Sequence, residues 1–208
     1  FSPEQLAAIA NRHTGVGCDQ VIVIDDVGKG ADVFMRIYNA DASEVGSCGN
    51  ATRCVAWIVM EEKGVGEVIV QTKAGLLSAV RKGPNQIRVD MGEPKFEWDQ
   101  IPLSEARDTQ HLGFSLGELS DPAAVSMGNP HMVFVVADAD KIRVPKIGPQ
   151  LEHYPLFPER ANVSFAQPIN DGHVKLRVWE RGSGETLACG TAACATLVVL
   201  NRRGLVSS

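Results

Sequence analysis

Laid on itself with a shift of 141 residues, the chain matches RIYNADASEVGSCGNA (36–51) to RVWERGSGETLACGTA (177–192) without a gap. Arg36 falls on Arg177, Glu44 on Glu185, Cys48 on Cys189, Gly49 on Gly190 and Ala51 on Ala192, and Tyr38 meets Trp179. Each copy runs from a strand-like segment through a polar loop to a Cys-Gly pair that opens an apolar, helix-like segment. Repetition of the whole strand–loop–helix order implies an internal duplication, and so two similar α/β lobes. A polar stretch rich in Pro and Gly starts at Glu93 and marks the boundary. Residues 1–92 are therefore expected to form one lobe around the Cys48 helix, and residues 93–208 a second around the Cys189 helix.

Local signals fill in the lobes. SPEQLAAIANRH (2–13) predicts a helix with Ser2 as N-cap and Pro3 at its first position. A short strand is expected near 20–24, another over 32–40, and a helix from Gly49 that Gly64 can end. EVIVQT, LLSAVR and QIRVDMG predict three more strands. Between Glu93 and Asp121 no periodicity emerges. AAVSMGNPHMVFVVAD (123–138) reads as two strands about a Gly-Asn-Pro turn, PKIGPQLEHY as a helix although Pro149 weakens the signal, ANVSFAQPI and VKLRVWE as strands, and CGTAACATLVVLNRRG as a closing helix.

A net charge of −5 gives no basic footprint, which argues against nucleic-acid and membrane-surface partners. The longest strongly apolar run, near Ala192–Leu200, is too short to cross a bilayer. Five cysteines, an odd number in a chain too long to need staples, point to a reducing compartment, and the cytoplasm is expected. The spacings Cys48–Cys54 and Cys189–Cys194 lack a CxxC pattern and point in different directions on a helix, so no metal site is expected. Cys18, Cys54 and Cys194 are assigned to packing.

A helix start offers backbone N–H groups without intrahelical partners and the positive end of the helix dipole. Glycine after each cysteine lets a ligand approach that backbone closely. Two such starts facing one another would hold a carboxylate, and the same field would lower the pKa of each thiol. Two sulfurs on opposite sides of one carbon suggest stereoinversion, with one removing a proton and the other returning one. The helix-start N–H groups would stabilise the carbanion's charge on the carboxylate. GVGCDQ is no dinucleotide fingerprint, and no cofactor is expected.

With both cysteine loops in view, the sequence resembles the diaminopimelate epimerases across essentially its whole length. The likeness rests on RHTGVGCDQ, YNADASE, CGNATRC, SMGNPH, FPERAN and ERGSGETLACGTAACA, in the family's order. CGNAT and CGTAA stand where many members have CGNGA and CGSGA, and Cys18 stands where Phe is common. The resemblance implies an α+β fold of two pseudo-symmetric lobes, each a mixed, mostly antiparallel sheet wrapped around a central helix. It implies cofactor-independent interconversion of LL- and meso-2,6-diaminopimelate, on the route to lysine and peptidoglycan precursors. Cys48 and Cys189 are then the acid/base pair, with Gly49–Asn50 and Gly190–Thr191 as the carboxylate cradle. Asn39, Asn129, Asn162 and Arg181 fix the distal end of the substrate, Gln20 touches an ammonium, and Glu180 lies at the substrate. Glu180 and His131 tune the thiols. The partner is a small-molecule substrate, and a homodimer is left open.

Physically, Arg181 suits a distal carboxylate, while an Asn at a strand end or turn equally often caps backbone. Glu44 and Glu185 suit a loop-holding role as well as a catalytic one. Family members also have an N-terminal strand and closing C-terminal strands without counterparts in these 208 residues, so the chain is expected to be a fragment with an incomplete pocket. Proline and hydroxyproline racemases are the nearest rivals. They usually place His soon after the first Cys-Gly, where this chain has Asn50, and have no need of Arg181. Phenazine-pathway isomerases of that fold lack the cysteine pair. A thiol redox sensor and a non-catalytic amino-acid-binding protein are readings from other classes.

Overall fold

In the computed structural model, which describes residues 1–207, the chain opens on helix α1 (Pro3–Ala10). Ser2 Oγ accepts from the Gln5 N–H at 3.3 Å while Gln5 Oε1 accepts from the Ser2 N–H at 2.8 Å. This reciprocal capping box, with Pro3 just inside it, explains why the helix starts there. The chain divides into two compact units, Phe1–Gly92 and a second from Glu93 onward.

In the first unit, β1 (Gln20–Asp25), β2 (Val33–Asn39) and β3 (Glu44–Val45) precede helix α2 (Gly49–Lys63), and β4 (Glu67–Thr72), β5 (Gly75–Gly83) and β6 (Gln86–Val89) follow it. They form one sheet in the order β1-β2-β4-β5-β6, with β3 also paired to β2. All pairings are antiparallel except β2 with β4. That parallel pair requires a crossover, which α2 provides. Met35 and Ile37 of β2 point inward around the outward Arg36, the two-residue period of a strand with one buried face. They meet Val55, Ala56, Val59 and Met60 of α2, together with Val68, Val70 and Ala79. Gly64 ends α2 at φ +66°, the left-handed region that glycine enters without penalty.

The second unit holds β7 (Ser115–Leu116), β8 (Leu119–Ser120), β9 (Ala123–Ser126), β10 (Pro130–Val135), α3 (Val144–Glu152), β11 (Asn162–Asn170), β12 (His173–Glu180), β13 (Gly184–Thr186) and α4 (Gly190–Arg202). Its main sheet runs β13-β12-β11-β10-β9, and β7 and β8 form a separate hairpin. Again one pair is parallel, β10 with β11, and α3 lies in the connection between them. Consecutive residues of both strands are buried, Pro130–Phe134 in β10 and Asn162–Ala166 in β11, as expected for the centre of a sheet covered on both faces. Mixed, mostly antiparallel sheets with helices make the fold α+β.

One expectation needs amendment. The stretch 93–121, read as patternless, supplies Ile101, Leu103, Leu112 and Leu119 to the second core. Pro149 does not break α3. That helix lies on the indole of Trp179, where a Cβ on Gly148 would come within 2.4 Å of the ring. Packing of this closeness outweighs the one hydrogen bond that proline removes.

Candidate active site

Each Cys-Gly pair sits where the repeat puts it. Cys48 is the N-cap of α2 and Cys189 the N-cap of α4, both in extended backbone and neither side chain capping its helix. Gly49 and Gly190 are the first helical residues. Each sulfur is thus attached at a ring of helix-start N–H groups rather than consumed by it.

In the first unit, Gln20 and Asn39 are cross-strand partners, and Gln20 Nε2 donates to Asn39 Oδ1 at 3.1 Å. Asn39 is buried and donates in turn to Ser43 Oγ at 3.2 Å. Asp41 accepts from the Ser43 N–H at 2.9 Å, a local turn that folds the loop leading to Cys48. Thr52 donates to the Cys48 carbonyl at 2.9 Å, and Asn50 accepts from Arg53. Ser43 is a site neighbour that the sequence reading missed, although NADAS carries the turn signal.

The second unit gathers its expected residues more tightly. His131 Nε2 lies 2.9 Å from Asn129 Oδ1, Asn129 Nδ2 donates to Thr191 Oγ1 at 3.5 Å, and Thr191 Oγ1 lies 3.4 Å from Cys189 Sγ. Asn162 donates to the Pro130 carbonyl at 3.2 Å and accepts from the Arg181 N–H at 3.0 Å, tying the β9–β10 turn to the end of β12. The Arg181 guanidinium donates to the Glu159 carbonyl at 2.9 Å. Glu180 accepts from Thr186 and stands beside the Cys189 thiol.

The electrostatics correct one expectation. The helix starts were expected to lower both thiols. At Cys189 burial dominates, and the Glu180 carboxylate adds to it, so the thiol is pushed up to about 12. The Thr191 hydroxyl and the Ala192 N–H pull the other way and are outweighed. His131 is wholly buried and pushed down to about 3, by burial first and by the Arg181 charge second. Its ring is therefore neutral, and the chain through Asn129 and Thr191 links it to Cys189. Its Nδ1 has no hydrogen-bond partner among the described residues.

Glu185 accepts from Arg177 at 3.0 and 2.6 Å, and Glu44 pairs with Lys73 at 3.4 Å; both hold their loops. Cys18 and Cys194 are half-buried, in keeping with packing, but Cys54 is exposed. It lines a groove of about 1080 Å³ on the outer side of α2 with Arg53, Trp57 and Arg88, so its assignment to packing is corrected. Among the described residues, no group of His, Cys, Asp or Glu is arranged to hold a metal ion, and no helix is long and apolar enough to cross a membrane.

This architecture has solved counterparts. A hydroxyproline epimerase from Agrobacterium vitis, with bound trans-4-OH-L-proline, superposes with a TM-score of 0.70 at 17% identity, over 98% of this chain and 66% of that one. A phenazine biosynthesis protein of Bacillus anthracis matches with a TM-score of 0.61 at 19% identity, over 96% and 70%. Sequence relatives lie much nearer. The diaminopimelate epimerase of Acidiphilium cryptum is 54% identical over 207 residues, covering 100% of this chain and 74% of the relative. That of Zymomonas mobilis is 50% identical, covering 100% and 75%. The sequence profile of diaminopimelate epimerase matches residues 1–97 and 123–208. The chain belongs to the diaminopimelate epimerase family.

Proposed function

We propose that this chain interconverts LL- and meso-2,6-diaminopimelate without a cofactor, with Cys48 and Cys189 exchanging a proton with opposite faces of one α-carbon. The observation that carries the reading is the repeated N-cap cysteine, present once in each unit of a chain about half identical to diaminopimelate epimerases. One thiolate takes the α-proton, the C–H electron pair stays on carbon and spreads into the carboxylate, and the opposite thiol gives its proton to the other face. Charge on the carboxylate oxygens is stabilised by the N–H groups after Gly49 and Gly190.

The thiol held high at Cys189 supports its role as the proton donor in the resting form, which leaves Cys48 as the base. When the substrate of opposite configuration reacts, the roles exchange. Asn39, Asn129, Asn162 and Arg181 are assigned to the distal amino-acid end, Gln20 to an ammonium, and Asn50 and Thr191 to the carboxylate cradle. Arg181 is the natural bidentate partner for the distal carboxylate. Glu180 and His131 are assigned to the Cys189 side, Glu180 by its charge at the substrate and thiol. The cytoplasm is the proposed location.

The test is incubation with LL-diaminopimelate and separation of the isomers. Appearance of the meso form supports the reading. Binding without any meso product, unchanged by Cys48→Ala and Cys189→Ala, would replace it with a non-catalytic binding function.

A further inference from the structure

Glu152, in the last turn of α3, is a carboxylate only 4% exposed. A carboxylate this deep persists only where its oxygens are satisfied. Here they are used separately. Oε2 accepts from Trp179 Nε1 at 2.7 Å, while Oε1 accepts from the Gly182 N–H at 3.0 Å and from Arg160 at 3.3 Å. Trp179 and Gly182 flank Glu180 and Arg181, so one carboxylate grips the chain just before and just after those two residues. Gly148, one helical turn before Glu152 on the same face, allows α3 to lie on the indole and bring the carboxylate to it. Arg160 itself holds φ +62°, a conformation that a residue with a side chain keeps only where its surroundings over-determine it.

We propose that Glu152 is a positioning residue that fixes the turn from Trp179 to Gly182 and thereby keeps Glu180 against the Cys189 thiol. Its catalytic meaning rests on the epimerase reading; its test does not. Only a carboxylate serves, because both oxygens face donors. Glutamine of the same shape must turn its NH₂ toward either the indole N–H or the Gly182 N–H. Loss of one anchor frees Glu180 to swing away, and the thiol loses the neighbouring charge that opposes its ionisation.

The experiment labels the full 208-residue chain with iodoacetamide near pH 8 and quantifies label at Cys189 and at Cys194 from the fragment ions of the one tryptic peptide that carries both. A fall of about one unit in thiol pKa multiplies the thiolate roughly tenfold and lowers its nucleophilicity about threefold, so Glu152→Gln is expected to label Cys189 about threefold faster. Cys194, on the same helix, is expected to keep its rate, which separates this effect from general loosening. In a Glu180→Gln background, Glu152→Gln is expected to add nothing. Wild-type labelling of Cys189 in Glu152→Gln would overturn the proposal, as would an acceleration that Cys194 shares or that persists without Glu180. If Glu152→Gln does not fold by circular dichroism, Trp179→Phe removes one donor and is read the same way; a wild-type rate in the folded variant overturns the proposal. No substrate is involved, so failure of the epimerase reading shows separately as absence of meso product.

Discussion

At the same position of the repeat the first unit carries an amide and the second a carboxylate: Asn39 falls on Glu180. Asn39 is spent on neutral hydrogen bonds with Gln20 and Ser43. Glu180 places a negative charge at Cys189 and raises its thiol. The loops differ in the same sense. Arg177 lies across Glu185 and donates to the Ala139 and Ile142 carbonyls at 3.0 and 2.7 Å. Arg36 meets Asp25 at 3.3 Å on an exposed surface. One backbone device, strand to loop to N-cap cysteine, has been kept twice while its electrostatic surroundings diverged. Under the proposed two-cysteine reading, the Glu180 charge, which has no carboxylate counterpart at Asn39, favours Cys189 as the thiol that begins as acid.

The comparison breaks outright if either sulfur is dispensable. Cys48→Ser and Cys189→Ser are each expected to lower interconversion by about 10²–10⁴-fold, the range for loss of a positioned acid or base. Isomer separation in both directions checks this, and near-normal turnover in either variant would contradict it.

Acid should next separate the two units. His131 has its folded-state pKa lowered from 6.5 to about 3, so between those values the unfolded chain takes up a proton that the folded ring refuses. The stability from keeping this ring neutral is therefore present above pH 6.5 and lost as pH falls toward 3, by up to roughly 1.4 kcal/mol per pH unit. Hydrogen exchange read by mass spectrometry is expected to rise first in residues from Glu93 onward. His131→Gln is expected to flatten that pH dependence.

A smaller difference lies in the paired arginines. Arg177→Ala removes hydrogen bonds to a carboxylate and to loop carbonyls and is expected to cost about 1–2 kcal/mol in urea unfolding. Arg36→Ala is expected to leave the midpoint unchanged, as for most exposed ion pairs. Equal losses would mean that the two loops are held alike.

The smallest effect concerns the hydroxyls two residues beyond Cys189 and four beyond Cys48. Thr191 lies 3.4 Å from Cys189 Sγ and lowers that thiol, so Thr191→Val is expected to slow iodoacetamide labelling of Cys189 by roughly twofold. Thr52 donates to the Cys48 carbonyl at 2.9 Å, and Thr52→Val is expected to move Cys48 labelling less.

Much of this was legible because the signals are local. Ser2 and Pro3 announced α1, Gly64 the end of α2, and β-branched and aromatic residues the strand around Arg36. The repeat by itself puts both cysteines at helix starts. Strands β3 and β13, two and three residues long, were missed because nothing periodic fits in so short a run. The 93–121 segment hid its core residues because they are scattered through turns, with β7 and β8 meeting around Gly117 at φ +62°. Parallel pairing of β2 with β4 and of β10 with β11 depends on crossovers that residue patterns do not specify. The direction of the Cys189 shift was also beyond reach: a helix start is visible in sequence, but the burial that overrides it belongs to the packed state. For the same reason Glu152 drew no notice, since nothing in LEHY foretells an indole and a glycine N–H converging on it.

The most direct test of two opposed sulfurs is the fate of the α-hydrogen when LL-diaminopimelate reacts in D₂O. Two-base chemistry predicts that the first meso molecules all carry deuterium at the inverted carbon while the unreacted LL pool stays protiated. Meso product that retains the original proton at that carbon would mean one group serving both faces, and would contradict the account.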